Sequence, residues 1–266
     1  MSALDATLKA NGSHLTVKVS DKNLAVKKPI GFKELIITQI HYALLEINWL
    51  KYRKGILGGW IKNHKQIKSI LGTRLAEFKK FWNNYPAYNR QSLRFQNIML
   101  SMVFLFENFL DSGSEFAIIF EDDADFFDYK KQANLVHEVI QMLSKLPESN
   151  IFMNISESYS PTELGIENLM RLYPDTNKYL KSSSSKIYNL TKPAANTTAA
   201  IICNQKFVKQ ALIFYKKLLL NSGVGYKFVP LDWTLNRFMI KTFKHEKNLY
   251  FTVYPGLVPQ LSLRPR

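Results

Sequence analysis

Four short stretches constrain this chain most: "EFAIIF" (115–120), "IFMNI" (151–155), "TAAIIC" (198–203) and "LYFTVY" (249–254). Each is a nearly continuous apolar run of strand length. Strands of that kind are covered on both faces, so they call for helices on either side of a sheet. Helical patterns lie between them. Leu135, Val136, Val139, Ile140, Leu143 and Leu146 recur at helical spacing and stop before Pro147. In "SPTELGIENLMRL", Ser160 stands as cap and Pro161 as first helical residue. Asn204 stands as cap ahead of "FVKQALIFYKKLLL", and "PLDWTLNRFMIKTF" reads as a short helix. From about residue 92, strands alternating with helices predict an α/β domain.

The chain of 266 residues suits one such domain with an extension. Residues 1–30 read as a polar arm or strand containing the alternating stretch "LTVKV". Residues 31–266 read as a single domain, with a helical, basic part at 31–91 and the α/β part at 92–266. Phe32 to Leu50 is apolar at helical spacing. Between Lys51 and Arg94 stand eleven Lys or Arg and one acid, Glu77, interleaved with Tyr52, Trp60, Phe78, Phe81, Trp82, Tyr85 and Tyr88. Ser92–Leu110 is apolar nearly all round, which predicts a buried helix ended by "DSGS". The formal net charge is +15, a field that attracts nucleic acid, an anionic membrane or a phosphorylated substrate without choosing among them.

One cysteine, Cys203, excludes a disulfide framework and a cysteine metal knuckle; within "AAIIC" it reads as a buried thiol. The polar start has no apolar core of a leader. The longest apolar run, "IMLSMVFLF", falls far short of the ~20 residues of a spanning helix. The expectation is a soluble protein, cytoplasmic or peripheral at the inner face of a membrane. The sequons at Asn11, Asn154, Asn189 and Asn196 then read as chance.

"EFAIIF" runs directly into Glu121, Asp122, Asp123 and Asp125, four carboxylates in five residues. No Lys or Arg occurs between Phe95 and Tyr129. A solvated turn with one Asp capping the next helix accounts for one or two of these acids, not four, because neighbouring carboxylates repel. A hard divalent cation, Mg²⁺ or Mn²⁺, removes the repulsion and keeps phosphate as a further ligand. Strand ends of open α/β sheets are also where ligands sit. On an extended segment Glu121, Asp123 and Asp125 share one face and Asp122 takes the other. The expected ligand pair is Asp123 with Glu121 or with Asp125. His245, near the last strand, is a further candidate for the metal shell.

"FAIIFEDDADF" resembles the Asp-x-Asp region of GT-A glycosyltransferases and is similar to glycosyltransferase family 25, the lipooligosaccharide-biosynthesis type. "NTTAAIICNQKFVKQAL", "VPLDWTLNRF" and "YPGLVPQLS" resemble later segments of that family in the same order. The first ninety residues depart from it. The resemblance implies a GT-A-like (Rossmann-like) mixed sheet flanked by helices. It also implies a nucleotide-sugar donor (a UDP-sugar by resemblance), Mn²⁺ or Mg²⁺ on the diphosphate, inversion at the anomeric carbon, and a glycan or lipid-linked acceptor. Glu121 and Asp122, with Asn196, Thr197 and Gln260, are then candidate donor-binding residues. An inverting transfer needs a base for the acceptor hydroxyl. Asp232 is the first candidate, with capping of its helix as the alternative role, and Glu157 the second. Two other readings use the same features: a metal-dependent nuclease or phosphotransferase with a basic groove, and a non-catalytic basic membrane-binding module.

Overall fold

The structure, a computed structural model, describes residues 6–10, 13–17, 36–37, 39–40, 43–44, 46–47, 64–121, 123–147, 149–157, 160–181, 183–194, 198–220, 231–242 and 248–260. In chain order the elements are β1 (Ala6–Ala10), β2 (Ser13–Val17), α1 (His64–Asn83), α2 (Tyr85–Asp111), β3 (Phe116–Phe120) and α3 (Tyr129–Leu143). There follow β4 (Asn150–Asn154), β5 (Ser156–Glu157), α4 (Pro161–Leu164), β6 (Met170–Leu172), α5 (Thr176–Tyr179) and β7 (Lys186–Leu190). The chain continues through β8 (Ala200–Asn204), α6 (Gln205–Leu220), α7 (Leu231–Thr242), β9 (Asn248–Tyr254) and β10 (Val258–Pro259). It divides into two compact units. One comprises Met1–Asn48, Gly58–Ser112 and Leu212–Val229; the other comprises Trp49–Leu57, Gly113–Ala211 and Pro230–Arg266.

In the first unit, β1 and β2 pair antiparallel with Ala10 opposite Ser13. The sequence between them is Asn11-Gly12, a strong two-residue hairpin signal. The described residues between 36 and 47 are helical. Asn84 alone separates α1 from α2. Pro86 fits the first turn of α2, where an amide hydrogen has no helical partner, so the helix starts seven residues before Ser92. Met99, Met102, Val103, Phe106 and Phe109 are buried at three- and four-residue spacing, while Phe104 is exposed. This helix therefore buries one face rather than its whole circumference. Lys216 meets Glu107 at 2.6 Å, and Tyr215 packs edge-on against Phe106.

The second unit holds a six-stranded mixed sheet in the order β3-β8-β4-β9-β7-β6. β4 and β9 are parallel; β8 is antiparallel to β3 and β4, and β7 to β9 and β6. Side chains alternate across it. Ile151, Met153, Ala200, Ile202, Phe251 and Val253 pack with Leu135, Val139 and Leu143 of α3. On β4, Phe152 stands between Ile151 and Met153 and packs instead on Phe207 of α6, which in turn meets Phe238 of α7 edge-on. Covering on both faces is why these strands read as continuous apolar runs. The unit is thus α/β, as its sequence pattern requires.

Helix ends follow local chemistry. Ser160 caps α4 in a reciprocal pair with Glu163, and the Ser160 backbone N–H and hydroxyl hold the Glu163 carboxyl below its usual range. α4 then stops at Gly165, whose φ of 62° is the left-handed conformation glycine adopts freely, so "SPTELGIENLMRL" holds one α-helical turn, a 3₁₀ turn at Glu167–Leu169 and the strand β6 rather than one long helix. Asn204 caps α6 by accepting from Phe207 N at 3.0 Å.

The edge of the sheet that begins β4 and β9 is closed by amides. Asn204 Oδ1 also accepts from Ile151 N at 3.1 Å, and its Nδ2 donates to Ser149 O at 2.7 Å. Asn150 Nδ2 donates to Asn248 Oδ1 at 2.6 Å, and Asn248 Nδ2 to Thr242 O at 3.2 Å.

Candidate functional site

The strand directions gather the C-terminal ends of β3, β4 and β9 and the N-terminal end of β8 at the opposite edge. The acidic stretch is therefore at one edge with the residues that precede β8 and those that follow β4 and β9. Glu121 N extends the ladder by donating to Ala199 O at 2.9 Å. The chain then turns: Ala124 N donates to Glu121 O at 3.1 Å. The two-residue periodicity of an extended segment ends with that turn, so it does not assign faces to Asp123 and Asp125.

Beyond the turn the chain meets the closing segment. Ala124 bridges Gln260 in antiparallel fashion, and Asp125 N donates to Pro259 O at 2.8 Å. On its other side this segment pairs parallel with β5, Val258 opposite Ser156 and Pro259 opposite Glu157. The result is a small ribbon that carries the β4 extension, the closing segment and the acidic turn side by side.

Two carboxylates are fixed by neutral donors. The Thr198 hydroxyl, itself buried, donates to Glu121 Oε1. Gln260 Nε2 donates to Asp123 Oδ2 at 2.9 Å across 137 residues of sequence. Glu121, Asp123, Asp125 and Gln260 are each half-buried. Half-burial raises the cost of crowded negative charge, because solvent screens it less.

Gln132 ties the turn to the helix behind it. It is buried, accepts from Asp128 N at 3.2 Å, and donates to Asp125 O at 3.1 Å and Leu257 O at 3.0 Å. Asp128 caps α3 through Lys131 N at 3.1 Å. The sequence reading did not single out Gln132. Its signal was an amide three and four residues before Leu135 and Val136, on the apolar face of the helix. Beside the turn, Phe126 packs edge-on against Phe120 at 4.9 Å, and Phe127 is exposed.

Of the expected site residues, Glu121, Asp123, Asp125, Gln260 and the backbone of Glu157 come together on this edge. Thr198, which follows Asn196 and Thr197 in sequence, donates its hydroxyl to Glu121. Asp232 is half-buried in the first turn of α7. It stands ten residues before Thr242, or about 15 Å along the axis, and Thr242 is tied to Asn248 at the amide-closed edge. Asp122, Asn196, Thr197 and His245 lie outside the described residues.

The donors around the turn are oxygens of carboxylates, a hydroxyl and an amide, the set a hard cation takes. The Gln260 Oε1 is buried and accepts no hydrogen bond among the described residues. Among those residues no three His, Cys, Asp or Glu side chains gather as a ready-made shell. No described helix is long and apolar enough to cross a membrane. Compared with known proteins, the chain matches no family model, no curated protein and no solved structure.

Proposed function

We propose that this edge is the donor site of a divalent-cation-dependent glycosyltransferase with a GT-A-like form of the α/β fold. The observation that carries the reading is the hydrogen bond from Gln260 to Asp123. It joins two segments, far apart in sequence, each of which resembles a segment of glycosyltransferase family 25, with Gln260 a candidate donor contact.

Asp123 and Glu121 are the residues that would hold Mn²⁺ or Mg²⁺. Bound there, the ion supplies Lewis-acid neutralisation of the charge that grows on a departing nucleoside diphosphate. Gln260 holds one oxygen of Asp123 in place, and Thr198 does the same for Glu121. Orientation of this kind is what neutral partners give ligating carboxylates. The acceptor hydroxyl oxygen bonds to the anomeric carbon as the bond to the diphosphate oxygen breaks and its electron pair leaves with the diphosphate. The hydroxyl proton passes to a carboxylate. Glu157 is in register with Pro259, one residue from Gln260, and Asp232 is the alternative base.

The test is a thermal-shift screen of nucleotide sugars with and without Mn²⁺. A ligand that binds the folded state raises the Tm by mass action. The expected outcome is a shift by at least one nucleotide sugar that requires the cation, followed by transfer or slow hydrolysis of that donor. No shift by any nucleotide sugar in Mn²⁺, or cation-dependent cleavage of DNA or RNA instead, overturns the proposal.

A further inference from the structure

The helical unit leaves apolar side chains in the open. On α1, Leu71 is 50% exposed and Leu75 is 58% exposed. Lys68, Leu71, Leu75 and Lys79 follow at spacings of three and four, so they share one side of the helix, and all four are exposed. None of the described side chains of this 20-residue helix is fully buried. A second stripe, Ile36, Ile40 and Leu44, repeats every four residues in the helical stretch between 36 and 47; Ile40 is 54% exposed and Leu44 is 50% exposed.

Charge is distributed just as unevenly. Arg74 pairs with Glu46 at 3.1 Å and with Glu77 at 3.5 Å. Burial pushes the Glu46 carboxyl above its usual range, against the pull of Arg74. Glu77, the one acid between Lys51 and Arg94, is thus bound to an arginine, while lysines flank the exposed leucines.

We infer that this face of α1 rests on an anionic lipid surface. Leucine side chains gain by leaving water for the acyl boundary, and lysines beside them reach the headgroups along their own aliphatic stems. The exposed apolar side chains described on this face, Leu71 and Leu75, are aliphatic and offer a nucleobase no ring, which sets nucleic acid second. The inference stands apart from the glycosyl-transfer reading and survives its failure.

The experiment is flotation of the full chain with vesicles. Vesicles of phosphatidylcholine mixed with phosphatidylglycerol carry the protein, and phosphatidylcholine alone does not. Lys68→Gln with Lys79→Gln lowers partitioning roughly thirtyfold, from the attraction each basic residue adds near such a surface. Leu71→Ser with Leu75→Ser lowers it about tenfold, and that loss persists in high salt. Both pairs replace exposed residues, so an unchanged Tm verifies folding. Equal binding to neutral and anionic vesicles, or variants that bind like the parent, overturns the proposal. So does sedimentation that shows the leucines joining two copies of the chain while vesicle binding is unchanged. Oligonucleotide binding weakened by both pairs, with vesicle binding intact, overturns it in favour of nucleic acid.

Discussion

The two edges of the sheet solve the same problem with different chemistry. Where β4 and β9 begin, asparagines close the strand ends: Asn204, Asn150 and Asn248 bond to one another's elements and to backbone groups. Where β3 and β4 end, the corresponding positions carry Glu121, Asp123 and Asp125, steadied by Thr198 and Gln260. Neutral amides satisfy a strand end at no electrostatic cost. Neighbouring carboxylates in the same place add repulsion. Half-buried carboxylates gathered in one turn, set against the bonded asparagines of the other edge, are the contrast on which the proposed cation site rests.

The comparison breaks most sharply at Asp123. Asp123→Asn keeps a side chain that can still bond to Gln260, so stability changes by less than about 1 kcal/mol. Transfer falls on the order of a thousandfold, and chelation of divalent cations does the same to the parent protein. A donor-turnover assay beside a denaturant titration reads both; an Asp123→Asn protein that transfers normally removes the distinction between the edges. At the opposite edge the pattern reverses. Asn204→Ala strips partners from Ile151 N, Phe207 N and Ser149 O, costing about 2–3 kcal/mol, with turnover per folded molecule unchanged.

The smallest effect lies between the edges. Cys203, on β8, is wholly buried, and burial pushes its thiol up to about 12. Because the folded value lies above the unfolded one near 9, its contribution to stability is constant below pH 9. That contribution is lost as pH rises from 9 toward 12. Alkylation at neutral pH should therefore occur only after unfolding, and rapid labelling of the native protein would show that β8 is open to solvent. Either result concerns the middle of the sheet and leaves its edges as they are.

Four of the six sheet strands were legible because burial writes itself into sequence as apolar runs: β3, β4, β8 and β9 each match such a run to within two residues, whereas β6 and β7 were not read from the sequence. The Ser160 and Asn204 caps were legible because capping is local. The acidic stretch was legible as a site, but not its geometry. A single hydrogen bond, Ala124 N to Glu121 O, turns the chain out of the extended form on which the face assignment rested. Nor does any spacing rule connect Asp123 with Gln260, since their meeting depends on strand order, which is set by the whole sheet. Gln132 was missed for a related reason. A polar residue on an apolar helix face is noticed only when the backbone groups it serves, Asp125 O and Leu257 O, are known to be there.

The pairing of Gln260 with Asp123 also has a consequence in time. A ribosome releases the acidic turn 137 residues before the amide that seats it. During that interval the nascent chain carries its carboxylates without Gln260 or the Pro259 carbonyl beside them. A message cut short anywhere in the interval yields a polypeptide with every acid of the cluster and without the Gln260 amide that seats Asp123. The contact between Gln260 and Asp123 forms late in synthesis, after the closing segment has emerged.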